Sequence, residues 1–188
     1  LDVYDRAGGL GRKALLAHAI HLSEREIARL VETDSAIAHC PVSNMFIRSG
    51  VMPVRRYLDN GLRMGLGTDV AGAPELSVIT QMRLGFFGHN SRATVVGDDA
   101  AVPGPLEWIR MGTLGGAEAL GLDDVIGSVE PGKEADLIAL DLDRCSPPNA
   151  GPATNADEVA SRLIFRERPD MVRAAWVRGR RLEGPATA

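Results

Sequence analysis

The chain has 188 residues, of which 45% are hydrophobic and 24% charged, and its formal net charge is -4. That length suffices for a sizeable core, the composition excludes a disordered chain, and the acidic balance disfavours a nucleic-acid partner. No apolar run approaches the width of a bilayer and no signal peptide is visible, so no membrane partner is expected either.

Cys40 and Cys145 fit no metal-ligand or redox spacing, and free thiols in a reducing cytoplasm are the expectation. The chain opens at Leu1 without a methionine and is expected to be a piece of a longer one.

Taken in order, Lys13 to His18 reads as a short buried strand ending on a histidine. Ser23 and Glu26 form an S-x-x-E capping box, with Leu22 and Ile27 at the staple positions. This predicts a helix from Glu24 to the Thr33 region. A second strand, Ala36 to Cys40, ends at Pro41 and gives way to a polar loop, Val42-Ser43-Asn44. A helix through Pro53, Val54, Tyr57 and Leu58 is closed by Gly61. Leu62 to Leu66 is a third strand, leading into Gly67-Thr68-Asp69, and Leu76 to Leu84 is periodic enough for a helix. This βαβαβα alternation implies parallel strands with right-handed crossovers, hence part of an α/β sheet or barrel.

Past a loop near Gly97-Asp98-Asp99, Leu106 to Met111 and Ala117 to Leu120 read as short helices, the second ended by Gly121. The texture then changes. Ile126 to Asp136 is turn-rich, Leu137 to Leu140 is a strand, Cys145 to Asn155 is a surface loop, and Met171 to Leu182 reads as a hairpin with a Gly179 turn. Arg162, Arg166, Arg168, Arg173, Arg178, Arg180 and Arg181 alternate with acidic and apolar residues, a pattern of solvated strand faces.

His18, His39 and Asp69 each close a strand, so parallel neighbours bring all three to one crevice, where such folds gather their chemistry. A carboxylate there suits a metal ion or proton transfer; equally, Asp69 is placed to cap the turn before Ala71-Gly72-Ala73-Pro74. A lone strand-end histidine is ordinarily a packed residue, but two beside an aspartate make a candidate site. His21 mimics an H-x-x-E pair with Glu24, which the capping box and the helix dipole already explain. Met45 and Phe46 read as loop packing and His89 as a helix-end surface residue.

The phrases His18-Ala-Ile-His-Leu-Ser, His39-Cys-Pro-Val-Ser-Asn44, Gly65-Leu-Gly-Thr-Asp69 and Ile126-Gly-Ser-Val-Glu-Pro-Gly-Lys-Glu-Ala-Asp136, in this order, resemble the C-terminal half of a metal-dependent amidohydrolase. Within that superfamily Leu1 to Asp5, Ala17-His18 and Asp69 to Gly72 look most like the guanine deaminases. The resemblance implies residues 1–122 as the end of a (β/α)8 TIM-type barrel. His18, His39 and Asp69 would close about strands 6, 7 and 8, and residues 123–188 would give strands of a small β-domain.

The resemblance further implies one divalent cation, most naturally zinc, held by Asp69 and by histidines of a His-x-His and a His-x-x-Glu that this sequence lacks. Such a cation lowers the pKa of bound water from ~16 to about 7. Asp69 would take the proton, His18 would orient the attacking oxygen, and His39 and Asn44 would line the substrate pocket or satisfy loop backbone. The implied reaction turns guanine, a small purine, into xanthine and ammonia, in a cytoplasmic homodimer. The same scaffold serves other aminopurine, pterin, 8-oxoguanine or triazine hydrolases, and metal-free scaffold proteins. With one carboxylate and no His-x-His, the chain alone is expected to be inactive, with exposed barrel edges.

Overall fold

The computed structural model describes residues 1–97 and 102–183. A short helix α1 (Asp2–Arg6) precedes strand β1 (Leu15–Ala17), and α2 (Glu24–Glu32) leads to β2 (Ala36–His39). Two further helices, α3 (Pro41–Phe46) and α4 (Val54–Asp59), come before β3 (Arg63–Leu66), and the long α5 (Val78–Val96) follows it. The strands pair in parallel in the order β1-β2-β3, with Ala17 opposite Ala38 and His39 opposite Leu66. All three therefore deliver the chain to one edge of the sheet.

Side-chain chemistry accounts for these elements. The α2 capping box is complete, Ser23 accepting from the Glu26 backbone while the Glu26 carboxylate accepts from the Ser23 backbone, and Leu22 packs on the core that buries Ile27. Arg29 of α2 grips Asp5 of α1 with two bonds, at 2.7 and 2.8 Å. One core joins the layers: Ile27 and Leu30 from α2, Ile37 and Met64 from the sheet, Tyr57 from α4 and Trp108 from α6 (Pro105–Met111) are all buried together.

Three expectations for this half need correction. Val42-Ser43-Asn44 is not a loop but the body of α3, because Pro41 stands at its first turn with a preset φ and the side chain of Gln81 accepts from the Val42 N–H at 3.2 Å. Phe46, expected to pack, is exposed at the end of that helix. His89 is not at a helix end: α5 runs on to Gly97, which caps it with φ 66°, and His89 is buried in its middle. Gly85 and Gly88 do not stop the helix; a Cβ at Gly85 would lie 2.6 Å from the Trp108 ring, so the glycine lets that indole close against α5.

After α7 (Leu114–Leu120) come β4 (Leu137–Leu140), α8 (Leu142–Cys145) and α9 (Ala156–Phe165). Then β5 (Val172–Val177) and β6 (Arg180–Arg181) complete an antiparallel sheet in the order β4-β5-β6. The hairpin turn has positive φ at both Arg178 (52°) and Gly179 (74°), the conformation that a two-residue connection prefers. Its apolar residues Ile138, Val172 and Val177 are about half exposed.

Two more expectations fail in this half. Cys145 is fully buried as the last residue of α8, and the rest of the expected loop, residues 146–155, lies outside helices and strands. Arg162 lies on a helix rather than a strand and is buried, bonded to Ser146 Oγ at 2.8 Å, the Gly151 carbonyl at 2.9 Å and Glu158 at 2.5 Å. Its helix, α9, is announced by Asn155, which accepts from the Glu158 N–H at 2.9 Å. Of the Gly97-Asp98-Asp99 loop, the two aspartates lie outside the described residues. Among the described residues no helix is long and apolar enough to cross a membrane.

Candidate active site

The backbone turns sharply where each strand ends. The His18 N–H extends the ladder, donating to the Ala38 carbonyl at 3.0 Å, and then His18 and Ala19 adopt φ of 65° and 49°. Such left-handed conformations are uncommon for residues with a side chain and cost of order 1–3 kcal/mol each, so surrounding contacts must hold them. Here the Tyr57 hydroxyl donates to the Ala19 carbonyl at 2.8 Å and accepts from the Leu22 N–H at 3.2 Å, fixing the loop beyond the turn. Asp69 also has a positive φ, 49°, and its carbonyl accepts from the Ala73 N–H at 3.0 Å. A Cβ on Gly72 would sit 2.6 Å from Asp69 Oδ2, so only glycine lets the turn close this tightly over the carboxylate.

Three of the four expected site residues, His18, Asp69 and Asn44, meet here. His18 Nε2 lies 3.7 Å from Asp69 Oδ2, and both side chains are a little over a third exposed. The other His18 nitrogen, Nδ1, is 2.8 Å from Asn44 Oδ1. With the amide in this orientation, Nδ1 is the donor to Asn44, and Nε2 faces Asp69. Asn44 is almost fully buried and stands behind His18. His39 is also buried, its ring 6.1 Å from that of Trp108. Burial, with minor contributions from His89 and His18, pushes the His39 pKa down to about 3, so it is neutral at any ordinary pH. Within this chain, then, His39 and Asn44 lie beneath the exposed pair and do not themselves face solvent.

Ser43 was not picked out by its sequence context, yet it is the tightest partner of the carboxylate: its Oγ donates to Asp69 Oδ2 at 2.5 Å. The signal for it was present, since Pro41 at a helix start places Ser43 and Asn44 on the same short helix above the strand ends. Ser43 is fully buried and bonded to the aspartate rather than to a histidine, an arrangement that orients a carboxylate and does not activate a nucleophile. Cys40 is excluded from thiolate chemistry too, because burial and the neighbouring Asp69 charge raise its pKa.

A 3.7 Å gap is too long for a direct hydrogen bond but close to the ~3.4 Å between two ligands of a tetrahedral zinc with bonds of ~2.1 Å. The carboxylate of Asp69 thus fits one position in a cation's shell, with His18 close beside it. They do not complete one: among the described residues no group of three or more His, Cys, Asp or Glu is placed to hold a metal.

A carboxylate and an imidazole thus converge at the carboxyl edge of parallel strands, where α/β folds gather their chemistry. The chain belongs to the amidohydrolase family, whose model matches residues 1–182. It is 36% identical over 141 residues to the guanine deaminase of Escherichia coli, covering 75% of this chain and 30% of that protein. It is 38% identical over 184 residues to a 5-methylthioadenosine/S-adenosylhomocysteine deaminase of Natronomonas pharaonis, covering 95% and 39%. Among solved structures, guanine deaminase from C. acetobutylicum with guanine bound superposes with a TM-score of 0.84 at 27% identity, over 97% of this chain and 42% of that one. An adenosine deaminase from Xanthomonas campestris with bound zinc gives 0.81 at 30%, over 96% and 39%. The chain thus spans between about a third and two fifths of the length of the proteins it resembles.

Proposed function

We propose that this chain forms the C-terminal part of a metal-dependent deaminase that hydrolyses guanine to xanthine and ammonia. In this reading residues 1–122 provide the last three strands of a (β/α)8 barrel, and residues 123–188 provide strands of a small β-domain. The observation that carries it is the convergence of His18 and Asp69, 3.7 Å apart at the carboxyl edge of the sheet. Guanine deaminases among the relatives and structural neighbours support the choice of substrate.

In this reading Asp69 holds a divalent cation, zinc by analogy with the neighbour that contains it, and no full ligand set stands among the described residues. The chemistry such a cation supplies when bound is the acidification of water to a pKa of about 7. Asp69, with one oxygen already held by Ser43, is positioned to accept the proton that the water gives up. His18, with its proton held on Nδ1 by Asn44, keeps Nε2 aimed into the same space, where it orients the attacking oxygen on the amine-bearing carbon. Asn44 and His39 serve this pair from beneath.

A second reading has a specific observation behind it: the matches at 38% identity to 5-methylthioadenosine/S-adenosylhomocysteine deaminases make the exocyclic amine of adenine an alternative target. The deciding experiment is ammonia release by protein of the relatives' full length, loaded with zinc, against guanine, 8-oxoguanine, 5-methylthioadenosine, S-adenosylhomocysteine, a pterin and a triazine. Turnover of guanine with kcat/KM well above the others is expected. Preference for a thioether nucleoside would replace the substrate assigned here, and no release from any of them would sink the deaminase reading.

A further inference from the structure

Beside Asn44 lies a small void of about 10 Å³, walled by His39, Asn44, Met45, Met52 and His89 among others. Most of its wall is apolar, and α5 borders it through Gly85 and Gly88. Two polar atoms of the wall residues stand out. His39 Nδ1 and Asn44 Nδ2 are both buried without a hydrogen-bond partner within the protein. A buried donor or acceptor left unmade is costly, and native interiors satisfy nearly all of them. A bound water requires roughly 10–15 Å³ and two to four polar partners, so this void meets the lower bound for one molecule and no more.

We propose that the void holds one water molecule that accepts from Asn44 Nδ2 and donates to His39 Nδ1, making His39 a positioning residue for His18. The chemistry of the two partners is complementary. The Asn44 amide donates through Nδ2, because its Oδ1 faces His18 at 2.8 Å. His39, held neutral by burial, has one ring nitrogen able to accept. A water between them uses one lone pair and one proton and satisfies both orphans. Its consequence reaches the surface. An amide can present oxygen or nitrogen to His18 at little steric cost, and only a partner on its far side decides which. With the water in place Oδ1 faces His18, the His18 proton stays on Nδ1, and Nε2 keeps its lone pair for the crevice. His39 and Asn44 are both buried, so the tautomer is fixed from inside the fold.

The kinetic part of this proposal rests on the deaminase reading; the tautomer and the water do not. Imidazole nitrogen NMR on the full-length protein should find His18 with its proton on Nδ1 and His39 with its proton on Nε2. His39→Leu removes the acceptor, and should give mixed His18 tautomers and a loss of kcat on the order of tenfold with KM little changed, as for other outer partners of a site. His39→Gln restores an acceptor and should recover both. A crystal structure of the wild type at high resolution should place an ordered water within hydrogen-bond reach of both atoms. A dry void, or a folded His39→Leu protein with the wild-type His18 tautomer, overturns the proposal. If His39→Leu fails to fold, the crystal structure and the His39→Gln spectrum decide. Absence of ammonia release with every substrate, beside the expected tautomers and water, would fault the function and leave this inference standing.

Discussion

Ser43 and His18 address the same atom: Asp69 Oδ2 accepts from Ser43 Oγ at 2.5 Å and faces His18 Nε2 at 3.7 Å. One oxygen is therefore anchored on the helix side while the carboxylate stays open toward the crevice. Removing the hydroxyl with Ser43→Ala frees the carboxylate to rotate. In the full-length protein kcat should fall on the order of tenfold while zinc content changes less, a pattern expected of a partner that orients a ligand. Unchanged kinetics in a folded variant would show that the Gly72 turn alone holds Asp69.

Asp69→Asn keeps the size of the side chain and removes its charge. On the proposed roles of ligand and proton acceptor, its loss should lower kcat by about 10²–10⁴-fold and reduce bound zinc in parallel. Metal analysis alongside the ammonia assay tests both, and near-normal turnover would refute the role given to this residue.

Tyr57→Phe deletes a hydroxyl that bonds to both Ala19 and Leu22 while its ring stays in the core. A loss of about 1–2 kcal/mol is expected from the bonds. Because those bonds hold the left-handed turn that presents His18, kcat should fall as well. Chemical unfolding and kinetics on one preparation separate the effects, and lost stability with intact kcat would detach the turn from catalysis.

His39 gives the fold a pH dependence whose sign is fixed. The unfolded imidazole takes up a proton near pH 6.5, the folded one only near 3, because burial disfavours the charged form. Its contribution is complete above the unfolded value and is lost as pH falls from about 6.5 toward 3, with a slope of at most ~1.4 kcal/mol per pH unit. Urea titrations of full-length protein between these limits, set beside His39→Gln, should show the variant with the flatter dependence. Equal slopes would mean that the ring is not sealed from water.

The chain on its own leaves β1 as an open edge, with Leu15 44% exposed, and leaves Ile138 58% exposed on the antiparallel sheet. Bare edges and apolar faces associate. Residues 1–188 expressed alone should elute as aggregates, melt without cooperativity and release no ammonia. A monodisperse sample with a sharp transition would show a self-sufficient domain.

The parallel strands and the helix starts were legible because each rests on local chemistry: the capping box at Ser23, the compact apolar runs ending at His18 and His39, the terminal glycines. What escaped was set by distant partners. His89 looked like a helix end because Gly88 resembles a stop; distant partners explain the glycines inside that helix, Trp108 of α6 closing against Gly85 and Met45 of α3 against Gly88. Arg162 looked like surface charge until Ser146, Gly151 and Glu158 closed around it. In the site, the candidates at the strand ends could be named, but which pair would meet depended on positive φ at His18 and Asp69. Histidine and aspartate adopt that conformation more often than most side chains but far less often than glycine, so their types alone do not announce it.

The two cysteines carry a practical consequence. Cys40 follows the strand that ends on His39 and Cys145 ends α8; both are buried thiols whose pKa burial has raised. Such sulfurs react with alkylating reagents only when the segment around them opens, so the rate of modification at each becomes a clock for local breathing. A mass spectrum taken over time would read two such clocks in one molecule, one at the corner that supports His18 and one in the tail, without introducing any label.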